Sequence, residues 1–86
     1  MPVDVFKKDL RINERIIHFS FYGFNTVQGK RFLIVVHDGN ADSVFHMMLS
    51  QDKMNWIIVD NAPDWIIEIE YEFSDIITRQ LKPDAA

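Results

Sequence analysis

Three histidines are the residues of this sequence whose chemistry is most adaptable near neutral pH. His18, His37 and His46 lie on or beside segments that we expect to form neighbouring strands of one sheet. Three imidazoles on one sheet face could bind a metal ion, but a one-residue shift in strand register would move a side chain to the other face. No carboxylate stands at a metal-binding spacing from them. The pattern therefore favours surface or half-buried histidines and predicts neither a metal nor a cofactor.

Acidic residues towards the C-terminus are the second group with possible chemistry. On a helix, Glu68, Glu72 and Asp75 would form one polar ridge. Arg79, four residues after Asp75, would pair with it. Carboxylates act as general acids and bases when burial or a close like charge separates their pKa values. A ridge opposite the apolar stripe is instead solvated. Glu70 lies at the margin of that stripe, and we expect its carboxylate to extend into water.

Catalytic and nucleic-acid-binding signals are weak. An enzyme built on these groups would need at least one histidine beside a carboxylate in a cleft. The sequence contains no nucleophile elbow, phosphate-binding loop, dinucleotide-binding glycine motif or zinc motif. A net charge of −4 disfavours non-specific binding of nucleic acid, because phosphate contact needs clustered Lys and Arg. We therefore predict a protein that is not an enzyme and does not bind nucleic acid.

Composition indicates one small globular domain, residues 1–86. Hydrophobic residues make up 48% and charged residues 26% of the chain, which is ordinary globular usage. Cysteine is absent, so neither a disulfide framework nor a thiolate metal site can form. The longest apolar runs are far shorter than the roughly 20 residues that span a bilayer, and the N-terminal residues lack the apolar stretch of a signal peptide. We expect a soluble cytoplasmic protein without membrane association.

Apolar and alternating runs predict four β-strands. The predicted strands cover residues 15–22, 32–36, 44–49 and 56–59. The first alternates, with one apolar face, and the second is apolar on both faces, as in a central strand. The connections are short, with one turn over residues 23–29, so successive strands should pair antiparallel as a meander. Residues 1–14 show no clear pattern and stay unassigned.

The stretch WIIEIEYEF, residues 65–73, fits both a strand and a helix. Its alternation from Ile67 to Phe73 has the period of a half-buried strand. Over residues 65–81, however, most apolar side chains fall on one side of a helix. Asn61 is the predicted N-cap of this helix. Asp64, three residues later, would complete a capping box, and Pro63 would lie in the first turn.

These elements predict an α+β fold: a four-stranded antiparallel β-meander with one C-terminal α-helix packed on one sheet face. On the central strand, Phe32, Ile34 and Val36 would lie on one face, and Leu33 and Val35 on the other. A single helix covers only one of these faces. The second apolar face therefore needs the N-terminal segment, a second protomer or a ligand.

The uncovered face leads to the predicted function, a non-enzymatic protein-interaction domain that binds another protein or self-associates, most simply as a homodimer. Two helical residues off the apolar stripe extend the candidate surface, which consists of Tyr22, Leu33, Val35, Ile67 and Tyr71. The alternative is a binder of a small apolar ligand in a pocket between sheet and helix. Trp56 and Trp65 are expected in the core, and residues 82–86 are predicted to be a flexible tail.

Overall fold

A computed structural model describes residues 2–39 and 42–81 of the chain. One antiparallel sheet with the strand order β1-β2-β3-β4-β5 precedes two helices. The elements are β1 (Asp4–Ile12), β2 (Arg15–Thr26), β3 (Gly29–His37), β4 (Asp42–Leu49), β5 (Trp56–Ile58), α1 (Asp64–Ile67) and α2 (Glu70–Leu81). The predicted α+β fold, an antiparallel sheet with a C-terminal helix packed on it, is confirmed, but the sheet has five strands and not four. The predicted flexible tail, residues 82–86, lies outside the described residues.

The additional strand, β1, lies in the unassigned segment 1–14. Its alternation is obscured because residues 7–9 are all charged, on both faces of the strand. Phe6 nevertheless packs against the core, with its ring stacked on that of Phe21 at a centroid distance of 4.6 Å. Cross-strand packing of this kind stabilises a strand that its own sequence pattern does not reveal.

A two-residue turn at Asn13 and Glu14 joins β1 to β2. Both residues have positive φ, 50° and 67°, and Ile12 pairs directly with Arg15 across them. Positive φ at both central residues is the mark of a type I′ turn, which matches the twist of the two strands. Asparagine tolerates this left-handed conformation, but the Cβ of a glutamate is crowded in it. Glu14 is therefore a strained position in an otherwise favourable turn.

The predicted turn over residues 23–29 begins too early, because β2 continues through Gly23 to Thr26. A Cβ at Gly23 would lie 3.0 Å from ring atoms of Phe32 and 3.1 Å from the Cβ of Asp4. Glycine is needed here for close approach of neighbouring side chains, as is common for glycine inside a strand. The chain reverses only after Thr26.

The hydrophobic core lies between the sheet and the helices. Phe73 on α2 is central to it, with its ring 5.1 Å from that of Phe19 and 5.3 Å from that of Phe45. Strands β2 to β5 and both helices complete the core with Ile17, Phe21, Phe32, Ile34, Val36, Met47, Trp56, Ile66 and Ile77. Trp56 is buried as predicted, whereas Trp65 only packs against the core while partly buried. Burial of each large side chain stabilises the fold by about 1.5–3 kcal/mol.

The predicted single helix is divided into α1 and α2. At the break the chain tightens, and the Ile69 N–H bonds to the carbonyl oxygen three residues earlier, Ile66 O, at 3.1 Å. The predicted capping box at Asn61 is wrong, because Pro63 occupies the N-cap position and no side chain caps the helix. The aliphatic stripe, and not the cap, fixes this helical layer on the sheet.

Candidate interaction surface

One face of the sheet, here termed the outer face, points away from both helices. Leu33 and Val35 of β3 lie on it, whereas Phe32, Ile34 and Val36 are buried on the other side, as the alternation predicts. The buried apolar residues of α1 and α2, which are Ile66, Phe73 and Ile77, all belong to the core on that other side. Within residues 2–39 and 42–81, therefore, no element covers the outer face.

Strand pairing arranges most of the outer face in four rows that cross the strands, and Arg11 and Ile16 lie beyond them, next to the β1–β2 turn. The two middle rows are Val5, Tyr22, Leu33 and His46, and Lys7, Ser20, Val35 and Val44. The row at one end is Phe24, Arg31, Met48 and Ile57, and the row at the other end is Asp9, His18, His37 and Asp42. Apolar side chains thus occupy much of three adjacent rows, while the fourth, the histidine row, is entirely polar.

Each histidine lies beside its own aspartate. The Nδ1-to-carboxylate distances are 2.7 Å for His18 and Asp9, 3.1 Å for His37 and Asp42, and 2.7 Å for His46 and Asp60. His18 and His37 are directly opposite on β2 and β3, but His46 lies opposite Leu33, two rows away. The three rings share a face without converging. Within the described parts of the chain, no group of three His, Cys, Asp or Glu side chains could hold a metal ion.

Ser20, His37 and Asp42 have the connectivity of a nucleophile, a base and an orienting acid. Ser20 Oγ is 3.3 Å from His37 Nε2, and Asp42 Oδ1 is 3.1 Å from Nδ1 of the same ring. Ser20, however, is only 4% exposed and lies on β2, whose backbone pairs with strands on both sides. A hydrolase needs an accessible nucleophile and free N–H donors for the oxyanion. The contacts of His37 with Ser20 and Asp42 instead hold the His37 ring in place within the histidine row.

Arg31 lies at the opposite end of the outer face from the histidine row. Its Nε is buried without a hydrogen-bond partner among the described residues, and its Nη2 is 3.2 Å from the sulfur of Met48, a weak acceptor. No carboxylate of residues 2–39 and 42–81 lies within 4.0 Å of its guanidinium. Guanidinium groups removed from water are normally paired with carboxylates. The positive charge of Arg31 is therefore not balanced by any carboxylate of the described residues.

The five predicted interaction residues fall on two separate surfaces. Tyr22, Leu33 and Val35 share the outer face, where all three are half-buried. Ile67 and Tyr71 belong to the helical layer and are 50% and 69% exposed. Tyr71 lines an open groove that also includes Leu10 of β1. One flat partner cannot cover both surfaces.

The free edge of β5 is capped by two side chains of α2. Glu70 Oε2 accepts the N–H of Ile58 at 2.8 Å, and Ser74 Oγ accepts the N–H of Trp56 at 2.9 Å. The expectation that Glu70 extends into water is therefore wrong. Unpaired N–H groups at a sheet edge are a template for association with another strand. Because these two are occupied, the β5 edge is a poor place for pairing with another chain.

Asp60 holds the His46 side chain on the outer face. Its Oδ1 accepts the backbone N–H of His46 at 2.9 Å, and its Oδ2 is 2.7 Å from His46 Nδ1. Partial burial alone raises the pKa of the Asp60 carboxyl, but the two hydrogen bonds and the charge of the protonated ring outweigh it and hold the pKa below the ordinary value of 3.8. Asp60 is therefore ionised at neutral pH. Strand register, which the sequence does not reveal, is what brings it to His46.

The space between the sheet and the helices is filled by packed side chains. Its aromatic residues, Phe19, Phe21, Phe32, Phe45 and Phe73, are each at most 1% exposed. An open groove of about 710 Å³ lies instead at the rim, between the β2–β3 turn, the β4–β5 loop and the end of α2. Trp56 and Leu81 are among its apolar lining residues. A small ligand would find more room at this rim than between the layers.

Across residues 2–39 and 42–81, no helix has the length and apolar character needed to cross a membrane. Comparison with protein-family models, with curated proteins and with solved structures finds no match. The function of the chain is therefore inferred from its own surface.

Proposed function

We propose that this protein is a small non-enzymatic interaction domain that self-associates through the outer face of its sheet. The observation that supports this most directly is the exposure of apolar side chains on a face that no described element covers. Val44, near the centre of that face, is 54% exposed although its neighbour Val35 packs beside it. Contiguous apolar patches of several hundred Å² on small proteins commonly mark interaction sites.

The area of the outer face supports a second copy of the chain as the partner. Four rows about 6.7 Å apart, each with four side chains about 4.8 Å apart, make a patch on the order of 500 Å² per copy. Two such patches bury about 1,000 Å², the lower limit for a specific interface. The expected homodimer is therefore weak and depends on concentration.

Packing of two sheets face to face is a common way to bury such surfaces. Aligned sheets pack about 10 Å apart with their strands within about 30° of each other, and their side chains interdigitate. The half-buried Tyr22, Leu33 and Val35 provide the rigid apolar part of such a contact. A chain with net charge −4 and no cysteine fits a protein partner and a reducing compartment such as the cytoplasm.

Paired variants test which surface mediates association. Val44 on the outer face and Ile67 on the helical layer are aliphatic residues of nearly equal exposure, 54% and 50%. A lysine at either position leaves the core intact, but only Val44→Lys places a charge in the proposed interface. We expect light scattering to show a concentration-dependent dimer for the unmodified chain and Ile67→Lys, and a monomer for Val44→Lys. If only Ile67→Lys dissociates the dimer, the interface lies on the helical layer and not on the outer face.

A small apolar ligand remains the alternative function, and the rim groove is where the structure offers it room. Trp56 lines that groove, so its fluorescence reports occupation. Titration with an anionic naphthalene dye, 8-anilinonaphthalene-1-sulfonate, would change tryptophan emission saturably if the groove binds apolar molecules. A leucine-to-glutamate change at Leu81 would abolish that signal while leaving self-association unaffected.

A further inference from the structure

We propose that the two copies pack with their β3 strands antiparallel, so that Arg31 of each copy pairs with Asp42 of the other. This inference rests on the proposed self-association and specifies its geometry. The two-fold axis of the dimer then passes near Ile34, at the middle of β3. It lies in the plane between the two sheets and is perpendicular to the strands. Two reciprocal ion pairs then fix the relative orientation of the two copies.

The symmetry of β3 about Ile34 is the first support. β3 is the central strand of the five, and Leu33 and Val35 are one residue on either side of Ile34, while Arg31 and His37 are three residues on either side. An axis at Ile34 therefore places Leu33 over Val35 of the second copy. It places Arg31 over His37 of the second copy and beside Asp42, which is the cross-strand partner of His37.

The electrostatic state of the two residues is the second support. Arg31 has a buried Nε with no hydrogen-bond partner in the described part of the chain, at one end of the outer face. The Asp42 side chain is 64% exposed at the other end and shares only one of its oxygens with His37 Nδ1. A carboxylate has two oxygens and several lone pairs, so Asp42 can accept hydrogen bonds from a guanidinium and keep its hydrogen bond with His37. At opposite ends of β3 and β4, each copy thus carries a cation that no described carboxylate pairs with and a carboxylate with one oxygen still available.

The other aligned arrangement of the two sheets is disfavoured by the same charges. An axis parallel to the strands would place β3 parallel to β3 of the second copy. Arg31 would then lie over Arg31 and His37 over His37, while Asp42 would lie over His18, away from Arg31. Like charges facing each other across an interface are unfavourable, and opposite charges fix the register of association. The charge pattern therefore selects the antiparallel arrangement.

Charge reversal with mixing tests the inference. Arg31→Glu places two acids against each other in its homodimer, and Asp42→Lys places two bases together. Each variant alone should self-associate at least tenfold more weakly than the unmodified chain. An equimolar mixture should form a heterodimer, because Glu at position 31 then faces Lys at position 42 and the remaining native pair is kept. Arg11→Glu is the control, since Arg11 lies on the outer face outside the proposed ion pairs and carries the same charge change.

The outcomes separate this inference from the proposed function. Sedimentation velocity on the single variants, the mixture and the control gives the dimer fraction, and circular dichroism verifies folding. If the unmodified chain is monomeric, the proposed function fails. If it dimerises but the reversed variants dimerise equally well and show no preference for each other, the function stands and the antiparallel arrangement is refuted. Should a reversed variant unfold, the neutral changes Arg31→Gln and Asp42→Asn test the same contact, and both must weaken the dimer.

Discussion

Replacing Glu70 by alanine should destabilise the protein, because Glu70 caps the free edge of β5. Its carboxylate accepts the Ile58 N–H, and Ser74, four residues later, accepts the N–H of Trp56. Four residues of helix rise about 6 Å and two residues of strand about 6.7 Å. The two acceptors on α2 therefore match the two outward N–H groups of β5. Alanine at position 70 removes one acceptor and leaves the Ile58 N–H unpaired in a partly buried position.

The magnitude follows from the chemistry of this hydrogen bond. A hydrogen bond to a charged group contributes about 1.5–3 kcal/mol, and the partial exposure of Glu70 places the loss at the lower end, about 1.5 kcal/mol. For a domain of this size each kcal/mol shifts Tm by about 4–8 °C, so Tm should fall by roughly 6–12 °C. Glu70→Gln keeps an acceptor oxygen and should lose less stability than Glu70→Ala.

Thermal and urea denaturation followed by circular dichroism measure this loss. Glu72→Ala is the matched control, because Glu72 is also half-buried in the first turn of α2 and favours the helix dipole equally. If both alanine variants lose the same stability, the edge-capping explanation is wrong and only the helix terminus matters. A larger loss for Glu70→Ala, with faster hydrogen exchange of the Ile58 amide, supports it.

Three further changes test other parts of the structure. Glu14→Gly should raise the free energy of unfolding by about 0.5–1 kcal/mol in urea titrations, since glycine adopts the left-handed φ of this position without the crowding of a Cβ; no gain would argue against the type I′ turn. Gly23→Ala should cost about 1–3 kcal/mol, because its Cβ would meet the buried ring of Phe32; a neutral effect in the same titration would contradict that packing. Asp60→Asn should destabilise the protein above the ordinary carboxyl pKa of 3.8. The difference should vanish as the pH falls through the lowered pKa of Asp60, and a difference that persists at lower pH would exclude a role for its charge.

Elements with a clear apolar period were predictable from the sequence. The apolar run of β3 identified the central strand and its two faces, and the stripe over residues 65–81 identified the helical layer. β1 was missed because its charged run 7–9 hides the alternation, and its stability comes from packing such as that of Phe6 on Phe21. Gly23 was misread as a turn because the sequence does not show which ring lies above it.

The candidate surface was predictable only in its apolar centre. Leu33 and Val35 follow from alternation along one strand, a local property. The pairing of histidines with aspartates and the position of Arg31 depend on register between strands, which local patterns do not determine. Glu70 was misplaced for a similar reason: its partner, the Ile58 N–H, exists only once α2 packs against β5.

A dilution series of amide NMR spectra tests self-association through the outer face, because the spectra report both association and its location. We expect amides of β2, β3 and β4, including Leu33, Val35 and Val44, to shift with protein concentration, while those near Ile67 and Tyr71 do not. Spectra that are unchanged from the micromolar to the millimolar range would contradict self-association. Shifts confined to the helical layer would contradict the outer face as the interface.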